Sequence, residues 1–67
     1  MTVTVKMVLD AKRSLGNEAM ICVNKEGFCC LYQDWRAMRE GIALFSLKLS
    51  EEEQTLLKKK ARVITLN

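Results

Sequence analysis

The 67-residue chain has no histidine and no proline, only three glycines, and few aromatics: one Trp, one Tyr and two Phe. Without histidine it lacks the side chain that most often moves protons or binds metals near neutral pH. Without proline it has no Pro-rich linker, and it shows no Ser-rich stretch, low-complexity run or internal repeat. The glycines are widely separated, so no Gly-rich phosphate loop is present. Sparse aromatics leave little surface for stacking on bases. No apolar run approaches the ~20 residues of a membrane-spanning helix, and the longest candidate, Gly41 to Leu49, is far too short.

What is present is ordinary globular composition, 49% hydrophobic and 28% charged. The length predicts one domain over residues 1–67. Chains below roughly 70–80 residues usually need a staple: disulfides, a metal, very regular packing or oligomerisation. Three cysteines cannot all pair within one chain. The start Met1-Thr2-Val3-Thr4 has no basic region, and the apolar run breaks at Lys6 and Asp10, so no signal peptide is expected. Reduced thiols and a cytoplasmic location follow. No cofactor is expected. The net charge of +3 permits an anionic partner and demands none.

Thr2 to Leu9 alternates and is rich in β-branched residues, which predicts a strand, with a helical turn over Asp10 to Leu15. Val8, Ala11 and Leu15 also have helical spacing, with Gly16 as a cap. Ala19–Val23 and Phe28–Tyr32 flank Asn24-Lys25-Glu26-Gly27, which predicts a hairpin with Asn at the first turn position and Gly at the fourth. That register sets Val23 opposite Cys29, Cys22 opposite Cys30 and Ile21 opposite Leu31. One face then carries Ala19, Ile21, Val23, Cys29 and Leu31. The other carries Met20, Cys22, Phe28, Cys30 and Tyr32. Both faces are apolar, so each needs a cover.

Asp34 is a candidate N-cap. Trp35, Met38, Ile42 and Phe45 recur at helical spacing, which predicts a helix through Phe45 with Trp35 and Phe45 on its core face. Gly41 is the weak point, costing about 1 kcal/mol inside a helix. A helix stopping there would leave Ile42–Leu49 as a strand. Ser50-Glu51-Glu52-Glu53 reads as a capping box opening a helix to about Lys60. Arg62–Leu66 is β-branched and reads as a final strand. The expected fold is α+β: a small, mostly antiparallel sheet, built from the hairpin with N- and C-terminal strands, and two helices on one face.

Three constellations invite a functional reading. Cys22, Cys29 and Cys30 would hold zinc only with a fourth ligand. Adjacent strand residues point to opposite faces and no CxxC is present, so no metal site is expected. Cys22 and Cys30 face each other across the hairpin as an imaginable redox pair. A nucleophilic cysteine lacks a base, and Glu51, Glu52 and Glu53 point different ways around one turn, so no catalytic residue is assigned. The simpler reading makes the thiols small buried hydrophobes.

The basic run Lys58-Lys59-Lys60 with Arg62, joined by Lys12 and Arg13, suits phosphates. Its simpler role is to offset the negative end of a helix dipole. The apolar outer hairpin face, Met20, Cys22, Phe28, Cys30 and Tyr32, ranks first, because contiguous apolar surface marks an interaction site unless helices sandwich the sheet. The sequence therefore predicts a non-catalytic, regulatory or inhibitory protein that forms a homodimer or docks on a larger protein. The alternative is a dimeric nucleic-acid-binding regulator using the basic residues. An enzyme is the third reading, and it lacks an acid–base or metal set.

Overall fold

The computed structural model describes residues 3–66, ordered α1 (Val3–Leu15), β1 (Met20–Asn24), β2 (Phe28–Tyr32), α2 (Trp35–Glu40), β3 (Phe45–Lys48), α3 (Glu51–Lys60) and β4 (Val63–Leu66). The class is α+β. The four strands form one mixed sheet in the order β3-β2-β1-β4. β1 pairs antiparallel with β2, and β2 antiparallel with β3, whereas β4 runs parallel to β1. β3 and β4 are thus the two edges and point the same way, so the chain must cross the whole sheet between them. α3 makes that crossing.

The hairpin forms in the expected register, Ile21 opposite Leu31, Cys22 opposite Cys30 and Val23 opposite Cys29. Its turn is closed by the Asn24 side chain, whose Oδ1 accepts the amides of Glu26 and Phe28, both at 3.0 Å. Gly27 has φ 91° and donates its amide to the Asn24 carbonyl at 3.0 Å. Its own carbonyl accepts the Leu49 amide at 2.8 Å, tying the turn to the start of α3. That helix opens with the expected capping box. Ser50 Oγ accepts the Glu53 amide at 3.2 Å, and the Glu53 carboxylate accepts the Ser50 amide at 3.0 Å.

Two expectations are corrected. The N-terminal strand does not form, because residues 3–15 are helical. Thr2, its first expected residue, lies outside the described residues. The alternation Val3, Val5, Met7, Leu9 misleads: Val3 and Met7 are exposed, while Val5 and Val8, one turn apart, are fully buried. β-branched propensity is weak beside the gain from packing a helical stripe, about 1.5–3 kcal/mol per buried Val or Leu. The helix continues to Leu15, and the Gly16 amide then donates to the Lys12 carbonyl.

The helix through Phe45 also fails. Asp34 caps as expected, its Oδ1 accepting the Ala37 amide at 2.8 Å. Gly41 then turns left-handed at φ 73°. Its amide reaches the Met38 carbonyl, and the Ile42 amide reaches Ala37, the paired bonds of a Schellman stop. Phe45 consequently sits on β3, half-buried, and Trp35 and Ile42 are exposed rather than on a core face.

The core lies on one side of the sheet. Ala19, Ile21, Val23, Cys29 and Leu31, the inner hairpin face, pack with Val5 and Val8 of α1, Leu57 of α3, and Leu49. α1 and α3 therefore cover this face together. α2 lies on the opposite face, where the Cys22 thiol donates to Met38 Sδ at 3.3 Å.

Candidate functional site

The outer face of the sheet is only half open. β1 and β2 place Met20, Cys22, Phe28, Cys30 and Tyr32 there as expected, and the parallel pairing adds Ile64 and Leu66 beside them. α2 packs over part of this surface. Cys22 and Tyr32 are buried, Met20 and Cys30 are half-buried, and Phe28 is exposed with the Lys48 ammonium 5.0 Å from its ring centre. Two of the five expected interface residues are thus covered by the chain itself. The remaining open apolar residues on this face, Phe28 and Leu66, are rather few.

The thiols are free. Cys22 and Cys30 stand opposite in register, but their side chains have different partners: Met38 for Cys22, and Ser46 Oγ at 3.4 Å for Cys30. Burial pushes the Cys22 thiol up from its ordinary range, with the neighbouring Cys30 adding to the effect. The same causes push Cys29 up to about 11. A raised thiol pKa keeps the proton on and makes a poor nucleophile or metal ligand near neutral pH. Among the described residues, no group of three or more His, Cys, Asp or Glu side chains is placed to hold a metal ion.

A second apolar surface arises because residues 3–15 are helical and residues 45–48 form a strand. It is a groove of about 440 Å³ between α1 and the edge strand β3, lined by Met7, Asp10, Ala11, Phe45 and Leu47. β3 hydrogen-bonds β2 along one side, and its other side faces outward. Ile42 and Leu44, in the segment leading into β3, are also exposed. The only sequence signals were the off-stripe position of Met7 on a helix and the stop at Gly41, which turns Phe45 and Leu47 into alternate residues of a strand.

The basic residues divide. The last turns of α1 and α3 lie side by side, and Lys12, Arg13, Lys60 and Arg62 line one cleft of about 580 Å³. Lys58 and Lys59 stay outside it, and Lys59 shares an exposed strip of α3 with Glu51, Glu52 and Thr55. The four cleft cations form no ion pair among the described residues, unlike Lys6 with Asp10 and Arg36 with Glu40. A second cleft of about 470 Å³ shares Lys12, Asn17 and Arg62 with the first and adds Trp35, Met20 and Ile64. Arg39 lies over the Trp35 ring, 4.8 Å from its centre.

No helix among the described residues is long and apolar enough to cross a membrane. Compared with known proteins, the chain matches no family model, no curated protein and no solved structure.

Proposed function

We propose that this is a small non-catalytic protein of the cytoplasm that acts by association, and that its first partner is a second copy of itself. The observation that carries the reading is the open side of β3 beside the groove lined by Met7, Asp10, Ala11, Phe45 and Leu47. An edge strand offers a row of backbone donors and acceptors, which templates pairing with another strand. Proteins blunt such edges with very short strands, lysine, proline, bulges or inward charges, and β3 has two of these, its four-residue length and Lys48. β3 reads Phe-Ser-Leu-Lys, with its one charge at the last position and directed to the outer face.

A second β3 in antiparallel register satisfies both open edges through one two-fold contact, as isologous dimers require. It also brings the apolar grooves of the two copies to the contact. Beside this edge, exposed Met7 and the half-buried Phe45 and Leu47 adjoin unpaired backbone. Occupancy of a surface, regulatory or inhibitory, is a mode of action that needs no histidine, which this chain does not have.

Sedimentation under reducing conditions at low micromolar concentration should give at least twice the 7.7 kDa chain mass. Met7→Lys, at an exposed helical position, should yield a folded monomer. Phe28→Asp, on the outer sheet face, should leave the dimer intact. A wild-type monomer with cooperative unfolding defeats the proposal. Dissociation by Phe28→Asp and not by Met7→Lys moves the contact to the outer sheet face.

A further inference from the structure

We infer that the paired clefts at the C-terminal ends of α1 and α3 bind single-stranded nucleic acid, with Lys12, Arg13, Lys60 and Arg62 on the phosphates and Trp35 as the stacking surface for a base. The site is separate from the β3 edge and stands or falls independently of self-association.

Two helices end at this place, and their dipoles contribute about half a negative charge each. Cations in a last turn ordinarily do no more than offset that charge. Here four cations meet about one unit of dipole charge, and Glu18 on the wall of the second cleft removes about one more. A positive excess of about two remains. None of the four cations is spent on a carboxylate among the described residues. An arrangement serving α1 and α3 alone would not need Arg62, which lies beyond the end of α3 and lines both clefts.

The aromatic beside the basic cleft is Trp35. The failed long helix would have buried Trp35 in the core. In the structure its side chain is on the wall of the cleft adjoining the basic one, and the residue keeps 54% of its surface exposed. An exposed indole costs hydrophobic stabilisation that burial would have supplied, and a cation already lies over the ring at Arg39. A positive groove leading to an exposed aromatic is the arrangement that holds single strands without reading their sequence: phosphates follow the charge and a base stacks on the ring. A duplex keeps its bases stacked inside and has none to offer Trp35, so the geometry favours the single strand.

Trp35 is the sole tryptophan, so its fluorescence reports the site directly. A single-stranded oligothymidylate should quench it. Binding of the fluorescently labelled oligomer, followed by anisotropy, should weaken with salt with a log–log slope of about −2 to −3 for three to four contacts. Arg62→Gln and Lys60→Gln, both at exposed positions, should each flatten that slope by about 0.7. Trp35→Ala should weaken binding roughly fivefold to a hundredfold. Thermal melting and sedimentation of each variant separate loss of the site from loss of the fold or the dimer. Absence of binding overturns the inference. So does binding that leaves the fluorescence unchanged, binding of duplex at equal strength, or an unaltered slope in folded Arg62→Gln and Lys60→Gln.

Discussion

The sulfurs of Cys22 and Met38 lie 3.3 Å apart, the thiol donating to the thioether, and this contact joins α2 to the outer face of the sheet. α2 has only six residues and buries none of them fully, so its attachment depends on a few such contacts. Met38→Ala should cost about 1–2 kcal/mol, below the range for a fully buried methionine because Met38 is half-buried. It should also uncover Cys22. Thiol labelling of the native protein checks this: Cys22 should react markedly faster in the variant, while Cys29, on the opposite face, should not. Equal protection of Cys22 in both proteins would mean that α2 does not shield it.

The capping box makes a separable contribution to α3. Ser50→Ala removes the acceptor for the Glu53 amide and should destabilise by about 1 kcal/mol, with Glu53→Ala costing less. For a domain this size, 1 kcal/mol lowers the melting midpoint by roughly 4–8 °C. Calorimetry of the two variants decides the matter, and an unchanged midpoint in both would place the energetic start of the helix elsewhere.

Gly27 is constrained twice. Its φ of 91° disfavours any side chain, and an added Cβ would lie 3.2 Å from the Leu49 carbonyl oxygen and 3.0 Å from Gln54 Nε2. The left-handed conformation alone costs an L-residue about 1–2 kcal/mol. Gly27→Ala should therefore lower stability by about 2 kcal/mol, whereas Gly16→Ala, with nothing within 4 Å of the added atom, should stay near the conformational cost. Urea unfolding of both variants measures the difference, and equal losses would show that the approach of Leu49 does not matter.

Stability should fall in base. Burial holds the Cys29 pKa at about 11 in the folded chain, against 9.0 for a free thiol. Between those values the unfolded chain loses a proton that the folded chain keeps, so rising pH favours unfolding. The contribution is fully present below about pH 9 and has been lost by about pH 11, roughly 2–3 kcal/mol at most. Cys22 and Tyr32, both raised chiefly by burial, act in the same direction. Urea midpoints measured at about pH 8 and about pH 10 should show the drop, and Cys29→Ala should flatten it. A pH-independent midpoint would mean that Cys29 ionises freely in the native state.

The hairpin, the capped third helix and the inner face were legible in the sequence because each is specified locally. Asn24 and Gly27 fix the turn, the turn fixes the register, and the period of two then assigns Ile21, Val23, Cys29 and Leu31 to one side. Ser50 and Glu53 mark a helix start with no help from the rest of the chain. The first helix and the third strand were decided by tertiary packing. Val3, Val5, Met7 and Leu9 fit a strand as well as Val5 and Val8 fit a helix, and only the need to cover the inner face selects between them. The segment after Gly41 had two readings of similar local merit. The open side of β2 selects the strand, where Phe45 and Leu47 both reach the core. The candidate surfaces follow the same division. Lys12, Arg13, Lys60 and Arg62 are visible as basic residues in the sequence, but their meeting in one cleft requires the side-by-side ends of α1 and α3. Trp35 is exposed because a left-handed glycine six residues later ends its helix, an outcome that depends on where the following strand finds a partner.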